Sequence, residues 1–260
     1  MLKGLCVFSK NIENAKKAGF DYVVLPGFEV AAMSDKSFEK LVKEVKEIDI
    51  PVLGYNSYCK DDIPIVGDGF NEEKTAAYAA LLSKRAYELG IKNIGIGAPA
   101  ARRLPKDYDK IKAYNQGKKF ISITAYEARK YGLNVLIEGL QKYYCDFVNY
   151  IPEAYQLMKD IDRTNVKMII DFYHMKVNGE EYQNALGLLD YCKDVHISGC
   201  DKERNRPFVD ETDAEDLKLI SSILKKGGYN LTLTLEPDNT DENFMEKAQN
   251  SYNVINKYFE

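Results

Sequence analysis

The feature that most constrains this chain is an alternation that runs almost from end to end. A short apolar run rich in Leu, Ile and Val is followed by a longer charged, amphipathic segment, and the pair repeats eight times. The strand candidates are 2–8, 22–25, 51–55, 93–97, 133–138, 166–171, a seventh run ending at His196 or Ser198, and 231–236. Helix candidates lie between and after them: 11–18, 34–48, 71–89, 108–131, 152–161, 180–189, 213–226 and 241–258. The second of these places Phe38, Leu41, Val42 and Val45 on one helical face, with Ser34 as N-cap. Glycines at 19, 90, 132 and 227 close four of the helices. No hairpin signal interrupts the pattern, so each connection is a right-handed βαβ crossover and the sheet is parallel. Eight such units in 260 residues fit an α/β fold, a (β/α)8 TIM barrel, as a single domain over 1–260. A doubly wound open sheet is the rival, but no GxGxxG follows the first strand.

The last four apolar runs each stop on a residue that can bind a metal. LNVLIE ends at Glu138, VKMIID at Asp171, KDVH at His196 and LTLTLE at Glu236. Packing needs the apolar part of such a strand and solvent needs the polar end, but neither asks for Glu, Asp, His and Glu in particular. Taken singly, each is most simply a cap, a turn residue or a satisfied core histidine. Taken together, in a barrel, they converge on the C-terminal mouth, where active sites of this fold are built. Three carboxylates and one imidazole are mostly hard donors and suit one divalent ion, Mn²⁺ or Mg²⁺ first, with Co²⁺ or Zn²⁺ acceptable.

Composition narrows the partners. A net charge of -4 and a pI near 5.5 argue against nucleic acid. No stretch approaches the ~20 apolar residues that cross a bilayer, and the start of the chain carries no signal pattern. Five cysteines without CxxC spacing are expected to be free thiols in a reducing compartment, so the expected location is the cytoplasm.

The stretches GLNVLIEGL (132–140), DFYHM (171–175), HISGCDKERNRP (196–207) and LTLTLEP (231–237) resemble the sugar isomerase/epimerase branch of the xylose-isomerase-like TIM barrels, the branch of the D-tagatose 3-epimerases. Weaker likeness runs through GFDYVVLP (19–26), PVLGYNSY (51–58) and GAPAARRLP (97–105). The resemblance implies that Glu138, Asp171, His196 and Glu236 hold one metal ion and that Glu138 and Glu236 also move the proton. It implies that His174 and Arg204 contact substrate oxygens, with Arg206 the alternative to Arg204. The expected substrate is a ketose or sugar phosphate, and the family also allows a homo-oligomer. The pattern departs from the group at Tyr144 and Val24, where its epimerases often have Glu. Arg102 and Arg103 read as a phosphate contact, a subunit contact or a solvated loop. Other functions stay open on the sequence: a metal-dependent lyase or dehydratase, a non-catalytic sugar binder, and, against the acidic charge and only two histidines, a multi-zinc DNA-repair enzyme of the same fold.

Overall fold

The computed structural model describes residues 1–238 and 243–259. Eight parallel strands close into a barrel in sequence order, β1 (Leu2–Cys6), β2 (Tyr22–Pro26), β3 (Val52–Asn56), β4 (Asn93–Ile96), β5 (Asn134–Glu138), β6 (Val166–Asp171), β7 (Cys192–Ile197) and β8 (Thr232–Leu235), with β8 hydrogen-bonded back to β1. This is a TIM barrel. The strands are buried on both faces, which is why they read as near-continuous apolar runs rather than alternating ones. Around them lie α1 (Ile12–Lys17), α2 (Gly27–Ala32), α3 (Asp35–Ile48), α4 (Glu72–Leu89), α5 (Lys110–Arg129), α6 (Ile151–Ile161), α7 (Phe172–Asn178), α8 (Ala214–Lys226) and α9 (Phe244–Tyr258). Ser34 caps α3 by accepting from the Ser37 amide, as its sequence position suggests. Gly90 ends α4 at φ +79, a conformation glycine adopts without strain. The first two residues expected in the last helix, Asp241 and Glu242, lie outside the described residues.

Three elements differ from the sequence reading, the first being α2, a short helix that follows β2 directly where no helix is expected. The segment expected as a helix over 180–189 is 3-10 helix, Tyr182–Tyr191. A short α-helix, α7, instead begins directly after β6, because the Asp171 carboxylate caps it: Oδ1 accepts from the Tyr173 and His174 amides at 2.8 and 3.2 Å. This tight strand-to-helix turn carries His174 back over the barrel mouth. In register, Asp171 pairs with His196 and Ile197 with Leu235, so the ends of β6, β7 and β8 are level at the mouth. All five cysteines are free, and among the described residues no helix is long and apolar enough to cross a membrane.

Candidate active site

Glu138, Asp171 and His196 lie at the C-terminal ends of β5, β6 and β7, and Glu236 follows the last residue of β8. One ligand atom from each comes within 4.8 Å of all the others. His196 Nδ1 stands between two of the carboxylates, 3.0 Å from Glu236 Oε2 and 3.5 Å from Glu138 Oε1. Glu138, Asp171 and His196 are buried. Gly97 lies against them, and a Cβ there would overlap the Glu138 carboxylate as it stands.

These groups perturb one another. Burial, and then the nearby Glu236 carboxylate, push Glu138 up to about 8. Burial would raise Glu236 as well, but the Arg206 guanidinium and then His196 overcome it and hold Glu236 well below the usual carboxylate range. His196 moves up despite burial, because the Asp194 and Glu236 carboxylates face its two nitrogens. Glu138 Oε1 is buried and makes no hydrogen bond among the described residues. A crowded set of mostly hard ligand atoms, with one oxygen left without a hydrogen bond, fits a divalent cation.

The second group of side chains surrounds this cluster. His174 is buried; its Nδ1 accepts from the Gln141 amide at 3.2 Å, which leaves the proton of a neutral ring on Nε2. Burial, with help from Arg206, lowers His174 to about 4 against the pull of Asp171, so the ring is neutral near pH 7. Arg206 is buried, with Nη2 2.7 Å from Asp171 Oδ2 and 3.0 Å from Glu236 Oε2, and Nη1 3.1 Å from His174 Nε2. Arg204 is elsewhere. Its exposed guanidinium stacks on the Tyr143 ring at 4.1 Å, while its carbonyl accepts from the Tyr173 hydroxyl. Of the two arginines the sequence offered, the structure places Arg206 in the site and Arg204 on the rim.

Asn56, at the end of β3, has no role in the sequence reading. Its Nδ2 donates to Glu236 Oε1 at 2.6 Å and so fixes which way that carboxylate turns. A polar residue at the end of an apolar strand run was the available signal. Arg102 is not a solvated loop residue: it is buried, and donates to the carbonyls of Ile96 and Glu138, the latter at 2.8 Å. It ties the ends of β4 and β5 together behind Glu138.

Above the cluster is a cavity of about 210 Å³. Its polar floor is Glu138, His174, Arg206 and Glu236, and its walls include Phe8, Phe28, Leu140 and Tyr144. Tyr144, where a Glu is frequent in the group it resembles, faces this cavity with its hydroxyl 3.5 Å from that of Tyr173. Val24 is not at the mouth; it is buried inside the barrel with Cys6 and Tyr22.

A closed (β/α)8 barrel whose adjacent strand ends gather three carboxylates and a histidine defines the class of protein. Its family follows from comparison: the model of the xylose isomerase-like TIM barrel family matches residues 12–257, and the chain belongs to that family. The D-psicose 3-epimerase of Agrobacterium fabrum is 25% identical over 189 residues, 69% of this chain. That match spans 63% of the relative's length, less than two thirds. The D-psicose 3-epimerase of Ruminiclostridium cellulolyticum is 25% identical over 236 residues, 87% of this chain and 76% of that protein. The crystal structure of the Clostridium cellulolyticum H10 D-psicose 3-epimerase with D-tagatose superposes at a TM-score of 0.83 and 21% identity, covering 100% of both chains.

Proposed function

We propose that this protein is a metal-dependent sugar isomerase, most specifically a ketose epimerase, that moves a proton on a carbon next to a carbonyl. The observation that carries the reading is the placement of Glu138 and Glu236. They come from strands three positions apart around the barrel, yet both reach one donor cluster beneath one cavity. Two carboxylates so placed can act on opposite faces of a bound carbon, one taking the proton and the other returning it. The curated relatives with significant similarity are named as ketose 3-epimerases, which supports the same reaction class.

Glu138, Asp171, His196 and Glu236 would hold the ion, Mn²⁺ or Mg²⁺ by the preference of three carboxylates and one imidazole. When bound, a divalent cation supplies Lewis-acid stabilisation of the negative charge that develops on the substrate as the carbon-bound proton leaves, an enediolate-like charge.

The protein's own groups do the rest. His174 Nε2–H and Arg206 Nη1–H are two donors 3.1 Å apart that cannot bond each other. A substrate oxygen placed between them satisfies both and receives two donors as its charge grows. Asn56 keeps Glu236 turned toward the cluster. Phe8, Phe28 and Leu140 offer apolar walls against which the C–H faces of a small sugar pack and from which water is excluded.

The test is direct. Protein loaded with Mn²⁺ or Mg²⁺ is incubated with ketopentoses and ketohexoses, free and phosphorylated, and new sugars are separated by chromatography. A stereoisomer differing at one carbon is the expected product. Absence of any new sugar across the panel, with metal bound, would count against the reading.

A further inference from the structure

The barrel holds a fourth carboxylate below this cluster. Asp194 stands two residues before His196 on β7, so strand alternation points both side chains into the barrel. It is buried, and its Oδ2 lies 3.3 Å from His196 Nε2, the ring nitrogen turned away from Glu138 and Glu236. Both Asp194 oxygens are 2.9 Å from Thr234 Oγ1 on β8. Thr234 in turn is 2.7 Å from the Tyr22 hydroxyl on β2. The threonine has one proton, and the carboxylate takes it, so Tyr22 donates to Thr234. Gly4 on β1 gives the Tyr22 ring its place, since a Cβ there would overlap it. Tyr22, Thr234, Asp194 and His196 thus form one directed chain of hydrogen bonds through the barrel interior.

Packing alone does not call for this chain. Barrel interiors are filled mainly by branched apolar side chains, and a buried carboxylate is costly unless its acceptors are met. Here they are met from one side by Thr234 and from the other by the histidine.

We propose that Asp194 is a positioning residue for the metal centre: it accepts the Nε2–H of His196, which fixes the ring's rotation and leaves Nδ1 as the nitrogen offered to the ion. This rests on the metal reading above. Asp194 touches neither ion nor substrate. Thr234 and Tyr22 hold it in turn.

The native protein allows a test without mutation. The chain has only two histidines, so ¹⁵N-histidine labelling with Zn²⁺, which is diamagnetic, gives two assignable rings. The expected spectrum shows His196 protonated at Nε2, with a slowly exchanging Nε2–H, and metal-bound at Nδ1. Binding through Nε2 would overturn the proposal. Asp194→Asn presents either a donor or an acceptor to the ring and no longer selects one tautomer. Its Zn²⁺ affinity, measured by chelator competition, should fall roughly 10–100-fold. Thr234→Ser, which keeps the hydroxyl, should retain native affinity. Tight native binding with an unchanged Asp194→Asn constant overturns this inference alone. A native protein that binds none of Zn²⁺, Mn²⁺ and Co²⁺ overturns the metal reading and this inference with it.

Discussion

Arg206 meets Glu236 at two points: Nε donates to its backbone carbonyl at 2.8 Å, and Nη2 lies 3.0 Å from its carboxylate Oε2. A single guanidinium therefore sets both the chain path and the charge of the last strand-end carboxylate. Replacing Arg206 should disturb the site even where the barrel stays intact. For Arg206→Lys, which keeps the charge and loses the planar fork, we expect turnover of the responding ketose to fall roughly 10²–10³-fold. Arg204→Ala should stay close to native, because Arg204 packs on Tyr143 outside the cluster. Steady-state kinetics of the two variants, side by side, distinguish them. The reverse order would return the substrate contact to Arg204.

Glu236→Gln keeps an oxygen for the ion and removes the proton acceptor. Turnover should drop roughly 10²–10⁴-fold while some metal binding remains. An active Gln variant would remove Glu236 from proton transfer.

Metal binding should release protons near neutral pH. In the metal-free protein Glu138 is pushed up to about 8, first by burial and then by Glu236, while hydrogen bonds donated to Asp194 and Glu236 outweigh burial and raise His196. Glu138 therefore carries a proton at pH 7 and His196 favours its doubly protonated ring; binding an ion takes the proton of Glu138 and the Nδ1 proton of His196, which keeps its Nε2 proton. The sign follows: protons compete with the metal below about 8, so apparent affinity rises with pH, by roughly tenfold per unit for each proton released, and flattens above the two pKa values. Calorimetry in two buffers of different ionisation enthalpy counts the protons. Binding with no proton release would mean that Glu138 and His196 are not among the ligands.

Arg102 should matter for stability rather than chemistry. Its buried guanidinium serves carbonyls of β4 and β5, and burial lowers its own pKa. Arg102→Met leaves those carbonyls without a donor in a dry site, at a cost of about 3–5 kcal/mol. Urea unfolding measures it. A loss of activity at unchanged stability would place Arg102 in the reaction instead.

The barrel was legible because parallel strands are buried on both faces, and their apolar runs are therefore continuous and easy to count. The four strand-end polar residues were legible because they break those runs at the same point each time. What the sequence hid depends on loop geometry. Arg204 and Arg206 are two residues apart, and nothing local ranks them. The Asp201 carboxylate draws back Asn205, with Arg204 at φ +65, and the turn so formed sends Arg206 inward. The roles of Asn56 and Arg102 were hidden because their partners lie far away in sequence. Asp194 was closer to reach: an Asp-x-His at the end of a strand puts a carboxylate and an imidazole on one face. The helix after β6 was hidden because its capping residue, Asp171, also ends the strand.

The most direct test of the central claim is proton exchange at carbon. Metal-loaded protein is mixed with a panel of ketoses in D2O, and the carbon-bound hydrogens are followed by proton NMR. Deuterium entering at a single carbon next to the carbonyl, together with the epimer at that carbon, is the expected result. Exchange that yields an unsaturated product would make the protein a lyase built on the same site, and no exchange with any sugar, despite bound metal, would contradict proton transfer as its chemistry.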